Sequence, residues 1–352
     1  MSTWNQAIQH PSAWRRADLE GDQSWIVVLE REEVQELEAG LANVKVAGIR
    51  PQDISKENYP LPRLEAKLRG ILKELESGRG LAILRGVPVD GHTVEELSAM
   101  YMAIGCYLGE RVTQTADGVV LSHVADMGHA YGQRDIRGYY TKSQLLFHTD
   151  NADVVGLLCV RKAKRGGLSS VTSTITLFNE MLVNHPEHLE QCFIGFHHDL
   201  KGENAPGVPP VTSHKVPVFS YCDGYLSSCF NTSYTELGAK KLGVELTPRE
   251  RATIDLVNSL AAREDLRFDF LMEPGDIQFV NDHTTIHSRT EFEDYEEPHR
   301  KRLLLRLWLR VPNGRPMAPE IADRGYGRGS ARNGVPAFRE PSGMDQFSLR
   351  VT

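Results

Sequence analysis

The chain has 352 residues, 40% of them hydrophobic and 25% charged, with a formal net charge of -7. That is ample length for a buried core and the balance of an ordinary globular protein. It shows no basic stripe of the kind nucleic-acid binders carry and no apolar stretch near the ~18 residues that span a bilayer, and the opening Met1-Ser2-Thr3-Trp4-Asn5-Gln6, without a basic or apolar run, leads to the expectation of no secretory leader.

The five cysteines, Cys106, Cys159, Cys192, Cys222 and Cys229, are odd in number and lack CxxC spacing. They read as reduced thiols rather than a disulfide framework or zinc knuckle, and they fit a cytoplasmic location. In chain order, residues 63–75 carry Leu64, Leu68, Ile71, Leu72 and Leu75 at helical spacing, and Gly78 and Gly80 end that helix. A buried strand follows over 81–86. Thr93 and Glu96 form a capping box that opens a second helix running to about Leu108. From about Val119, short apolar runs alternate with turn signals: 144–147, 154–160, 170–174, 216–221, 225–230, 268–272, 277–280 and 303–311. This is the pattern of an antiparallel sandwich or barrel. Helices interrupt it over 177–182 and after Thr247-Pro248, where proline suits a first turn. Glu273-Pro274-Gly275-Asp276 predicts a tight turn. The expected organisation is a helical extension over 1–80 packed on a core over 81–312, in a single structural domain. The tail over 313–352 is expected to be irregular, either a flap over a site or a partly ordered terminus.

Three segments carry chemistry. The first is Leu146-Phe147-His148-Thr149-Asp150-Asn151. Residues i and i+2 of a strand share a face, so His148 and Asp150 present an imidazole and a carboxylate to one side. Two histidines and one carboxylate on one face of an octahedron suit Fe(II) and leave positions open for oxygen chemistry. An isolated HxD is common, and a His and an Asp in a turn explain it equally well. The second segment is Asn281-Asp282-His283-Thr284-Thr285-Ile286-His287-Ser288-Arg289-Thr290. His283 and His287 compete for the third ligand position. Their spacing of four would suit zinc on a helix, but the flanking turn and strand signals oppose a helix. The third is Arg302-Leu303-Leu304-Leu305-Arg306-Leu307-Trp308-Leu309-Arg310, buried on both faces by its composition. Arg302, Arg306 and Arg310 are separated by even steps and share one face. Buried arginines require anions, either an internal carboxylate or the acid group of a ligand.

Together, HTD, a distant IHSRTEF and RLLLRLWLR resemble the TauD/TfdA-type family of Fe(II)/2-oxoglutarate-dependent oxygenases. Gly166-Gly167-Leu168-Ser169 resembles the family's GG-x-S/T turn, and the resemblance runs from about residue 80 to 312. It implies a mainly β fold with flanking helices around a double-stranded β-helix, the cupin-like jelly roll. It implies Fe(II) on His148, Asp150 and His287, 2-oxoglutarate as cosubstrate with Arg302 and Ser169 at its distal carboxylate, and O₂ as oxidant. Arg306 sits where some relatives contact an acidic group of the substrate and others use the arginine differently. Gln144 sits where relatives often place a polar residue near cosubstrate or substrate. The implied reaction couples decarboxylation of 2-oxoglutarate to succinate and CO₂ with hydroxylation, desaturation or ring closure of a small organic molecule. Asp150 fits this better than halogenation, because halogenating relatives lack that carboxylate. A hydrolase or isomerase on a cupin-like barrel, using the same three ligands without cosubstrate, is the alternative; an arginine anchor at 302 would have no purpose there. His197-His198-Asp199 is a weaker ligand set, since adjacent strand residues point apart. His123 and His129 are candidates for a substrate pocket, or ordinary histidines. The segments 125–143 and 201–214 are expected to shape that pocket. The expected partner is a small molecule, without nucleic acid or membrane, and homo-oligomerisation is left open.

Overall fold

The protein is described by a computed structural model covering residues 4–128, 140–324 and 332–339. His129 and most of the expected pocket segment 125–143 therefore fall outside the described residues.

The N-terminal third places α1 (Arg16–Gly21), α2 (Arg31–Val46) and α3 (Glu65–Ser77) around strands β1 (Ile26–Val28) and β2 (Leu81–Arg85). The predicted 63–75 helix appears as α3, with Leu68, Ile71 and Leu75 buried on the expected stripe and Gly78 as its C-cap. The segment before residue 81 also supplies a strand, because β1 pairs parallel with β2. Helix α4 (Val94–Leu108) begins as predicted: the Thr93 hydroxyl accepts from the Glu96 amide while the Glu96 carboxylate accepts from the Thr93 amide.

The chain then runs through β3 (Glu110–Arg111), β4 (Leu121–Val124), β5 (Leu145–His148), β6 (Val154–Arg161), β7 (Arg165–Gly166) and β8 (Ser169–Ser173). Ser173 closes β8 and caps α5 (Thr174–Asn184), so the predicted 177–182 helix begins earlier than its apolar run suggests. After α6 (Pro186–Ile194) come the hairpin β9 (Phe219–Cys222) and β10 (Tyr225–Ser228), then α7 (Thr232–Leu242) and α8 (Pro248–Ala261). The remaining elements are β11 (Phe268–Phe270), β12 (Ile277–Asn281), β13 (Thr285–Arg289), β14 (Phe292–Glu293), β15 (Leu303–Arg310) and α9 (Pro319–Ala322).

Two sheets form the jelly roll. The larger has the order β1-β2-β12-β6-β15-β3, with β4 also on β15; the smaller has β11-β8-β13-β5. Apart from β1–β2, the pairings are antiparallel. The expected flanking helices are present: α3 and α4 cover the outer face of the large sheet, and α2 packs on α4.

Strand β15 shows how this layering works. Leu303, Leu305, Leu307 and Leu309 join the core shared with α3 and α4. Leu304 and Trp308 point the other way, into clusters with Val124, Cys159, Val155 and Val171. Both faces are therefore dry, which explains an apolar run without polar alternation. Arg302 and Arg306 lie in the inward-facing phase, in the space between the sheets. Arg310, in the same phase, reaches the rim and pairs with Glu110 instead. All five cysteines are free thiols. Among the described residues, no helix is long and apolar enough to cross a membrane.

Candidate metal centre

The cleft between the sheets is lined by Val124, Leu145 and Leu157 together with His148, Asp150, Ser169, Gln278, His287, Arg289, Arg302 and Arg306. It draws its polar groups from β5, β8, β12, β13 and β15. β5 pairs with β13 so that His148 stands opposite His287, with a register shift toward Arg289 and Leu145. Local alternation carries Asp150 to the same side. The result is one group, His148, Asp150 and His287, whose donor atoms lie within 4.8 Å of one another. The rival, His283, sits in the turn between β12 and β13. It is fully buried and its Nε2 contacts Asp153 Oδ1 at 2.8 Å, away from this group.

The donor set fits a divalent metal ion. His148 Nδ1 lies 2.8 Å from the Leu146 carbonyl. A carbonyl only accepts, so Nδ1 carries the proton and Nε2 keeps its lone pair. The His287 Nε2 is 3.8 Å from Asp150 Oδ2, too far for a hydrogen bond, and the imidazole rings are 4.5 Å apart between centroids. Burial, then the neighbouring His148, pushes His287 down to about 3, so its ring is neutral, as a metal ligand must be. On the far side, His287 Nδ1 faces Asp282 Oδ1 at 3.7 Å. Asp282 is completely buried, and neither of its oxygens has a hydrogen-bond partner. Burial, then the charge of Asp150, raises its carboxyl well above the ordinary range. A cation at the three-residue group would relieve this concentration of unpaired donors and buried acid.

Asp150 is held from several sides. Burial by itself would raise its pKa, but Arg306 first, then His287 and His148, bring it down to about 2. Arg306 Nη1 lies 3.3 Å from Asp150 Oδ2, and the Trp308 indole N–H donates to the same oxygen at 3.2 Å. The Arg306 Nε donates to Gln114 Oε1 at 2.8 Å. From the tail, Arg324 donates to the Asp150 carbonyl, and to Asn151 Oδ1 at 2.8 Å. Asp153 anchors the same loop by accepting from the Val311 amide at 2.8 Å and from Arg332 Nε at 2.8 Å.

Arg302 is different. It is buried, and its Nη1 has no hydrogen-bond partner. It forms no ion pair among the described residues; burial pushes it down to about 10. Ser169 lines the same corner. The Gly166-Gly167 turn brings the chain past Arg302 with φ of +75° and +72°, and a Cβ at Gly167 would stand 3.3 Å from Arg302 Nε.

The expected residues thus divide. His148, Asp150, His287, Ser169, Arg302 and Arg306 meet in the cleft. Gln144 is exposed just before β5 and is absent from the lining. His197 and Asp199 are engaged elsewhere, with the Thr212 carbonyl at 2.9 Å and Lys241 Nζ at 2.5 Å. Sequence reasoning missed Arg289, Asp282, Gln114 and Arg324. For Arg289 a signal existed, since it lies two positions after His287 on the same strand. For the other three, no local pattern points to the cleft.

The family model described as "Taurine catabolism dioxygenase TauD, TfdA family" matches residues 45–308. The chain belongs to the TauD/TfdA family. This TauD/TfdA member is 33% identical to FR-33289 synthase of Streptomyces rubellomurinus (strain ATCC 31215) over 324 residues, which is 91% of this chain and 95% of the relative. Among solved structures, an asparagine oxygenase in complex with Fe(II), 2S,3S-3-hydroxyasparagine and succinate superposes with a TM-score of 0.63 at 18% identity, covering 81% of this chain and 93% of that one. The non-heme iron oxygenase OrfP in complex with Fe and alpha-ketoglutaric acid gives a TM-score of 0.60 at 14% identity, covering 88% and 99%. Family membership makes the protein a non-haem Fe(II)/2-oxoglutarate-dependent dioxygenase, and the reading as a metal-dependent hydrolase or isomerase without cosubstrate falls.

Proposed function

We propose that His148, Asp150 and His287 hold Fe(II), that Arg302 and Ser169 receive the distal carboxylate of 2-oxoglutarate, and that the enzyme hydroxylates or otherwise oxidises a small organic molecule in the remaining space of the cleft. The observation that carries this reading is the meeting of two features in one cavity. A group of two histidines and an aspartate stands beside a buried arginine that lacks an acid partner among the described residues. A metal site alone would not call for that arginine, and an arginine buried without an anion is costly.

When bound, Fe(II) with 2-oxoglutarate and O₂ supplies the oxidising power, with succinate and CO₂ as co-products. The chain's own residues position and exclude. Arg306 and Trp308 hold Asp150 ionised and oriented. The Leu146 carbonyl sets the His148 tautomer, and Asp282 faces the outer nitrogen of His287. Val124, Leu145, Val155 and Leu157 give the cleft an apolar wall, which helps keep water from the reacting centre. Arg306 is occupied by Asp150 and Gln114, which supports a positioning role for it ahead of substrate contact.

Anaerobic absorbance of the metal-free protein, titrated with Fe(II) and then 2-oxoglutarate, tests the assignment. A visible charge-transfer band is expected for the wild type and is lost in His148→Ala. Metal binding at full stoichiometry with no band in the wild type would reject it.

A further inference from the structure

We propose that Arg289 is a second anchor for the distal carboxylate of the cosubstrate, so that this carboxylate is gripped by two guanidinium groups and the Ser169 hydroxyl. The proposal rests on the reading of Arg302 and Ser169 given above.

Arg289 stands directly opposite Ser169 in the β13–β8 register. Directly opposed residues of an antiparallel pair share a face, which puts the guanidinium at the hydroxyl's corner of the cleft. Arg302 lines that corner too. The guanidinium groups of Arg289 and Arg302 lie against a common ring, Phe292, at 4.7 and 5.1 Å from its centroid. Arg289 is 5% exposed and Arg302 6%. Arg289 Nη2 donates to the Thr141 carbonyl at 2.9 Å and to that of Ser143, and Nε donates to the Thr290 carbonyl at 3.3 Å. These acceptors are neutral. Nη1 of Arg289 and Nη1 of Arg302 are both buried without a hydrogen-bond partner, and neither arginine forms an ion pair among the described residues.

Asp126 acts on Arg289 and Asp294 on Arg302 only from beyond ion-pair contact, so two buried cations in one corner lack a contacting anion among the described residues, and a ligand would supply it. A carboxylate is the matching group. Its two oxygens offer about four lone-pair positions, enough for a donor from each arginine and the serine hydroxyl. A fully structural role for Arg289, tying residues 141–143 to β13, would use Nη2 and Nε but would leave Nη1 and its charge unexplained.

The two roles are separated with a cosubstrate that lacks the distal carboxylate. 2-Oxopentanoate keeps the keto acid and chain length of 2-oxoglutarate but ends in a methyl group. Full-length wild type, Arg289→Gln, Arg289→Lys and Arg302→Gln are loaded anaerobically with Fe(II), and each is titrated with both compounds by the visible band. Loss of a charge-assisted hydrogen bond predicts that Arg289→Gln binds 2-oxoglutarate about 10- to 100-fold more weakly while its affinity for 2-oxopentanoate is unchanged. Arg289→Lys, which keeps the charge but not the fork, is expected to fall between. The ratio of the two affinities is taken within one preparation, so partial loss of folded protein cancels. An unchanged ratio in both Arg289 variants overturns the proposal and leaves Arg289 a clamp. If Arg302→Gln changes the ratio and the Arg289 variants do not, only the second anchor fails. If Arg302→Gln leaves it unchanged as well, the placement of the distal carboxylate fails with it.

Discussion

His123 provides a test of the burial argument away from the metal centre. It stands on β4 opposite Leu305, on the helix-facing side of the large sheet, and neither ring nitrogen has a hydrogen-bond partner. Burial, then the positive charge of Arg161, brings it down to about 4 from the ordinary 6.5. Below pH 6.5 the unfolded chain takes up a proton that the folded chain refuses. This group therefore subtracts stability as pH falls from about 6.5 to about 4. Integrated over that window, the loss is almost nothing at pH 7.5 and about 2 kcal/mol at pH 5. Replacing the ring with an apolar side chain of similar size, His123→Leu, removes the titration. Urea unfolding of metal-free wild type and variant, followed by tryptophan fluorescence at pH 7.5 and pH 5, measures the difference. The wild type is expected to lose about 2 kcal/mol more than His123→Leu between the two pH values. Buried acids with raised values, Asp282 and Glu76, act in the opposite sense but equally in both proteins, so they cancel. Parallel pH dependences in the two proteins would refute the reasoning.

Asp282→Asn keeps the shape behind His287 but removes the carboxylate; Fe(II) affinity, measured by competition with a chelator, is expected to fall about 10- to 100-fold. Arg332→Ala leaves the buried Asp153 carboxylate with His283 and the Val311 amide alone, and unfolding should cost about 3–5 kcal/mol less, read as a lower urea midpoint with an unchanged slope. Gly167→Ala forces a side chain into a left-handed turn beside Arg302; weaker binding of 2-oxoglutarate with Fe(II) affinity intact is the expected pattern. Fe(II) at about 100 times its dissociation constant should stabilise the fold by about 2.7 kcal/mol, lost in His287→Ala and checked by anaerobic thermal unfolding.

The sequence by itself determined much of this protein, wherever a short-range periodicity carries the information. Alternation along a strand placed His148 with Asp150, and Arg302 with Arg306. Helical spacing defined α3, and the Thr93–Glu96 pair defined the start of α4. The order and spacing of HTD, the second histidine segment and the arginine strand were enough for the family. Tertiary structure decided what depends on register between strands far apart in the chain. The choice of His287 over His283 follows from β13 pairing with β5, which places His287 opposite His148, while the turn before β13 turns His283 toward Asp153. The partnership of Arg289 with Ser169 joins residues 120 positions apart through one cross-strand pair. Arg306 was legible as a buried arginine, but not that Asp150 would be an anion within its reach. Gln144 was placed by proximity to the first ligand, and only the geometry at the start of β5 turns it outward. Arg324 lies in a tail whose composition suggests irregular chain, yet its guanidinium supports the loop of the candidate metal ligand Asp150. Side-chain periodicity reports which face a residue occupies; which residue waits across the gap is set by long-range pairing, and no local pattern encodes that.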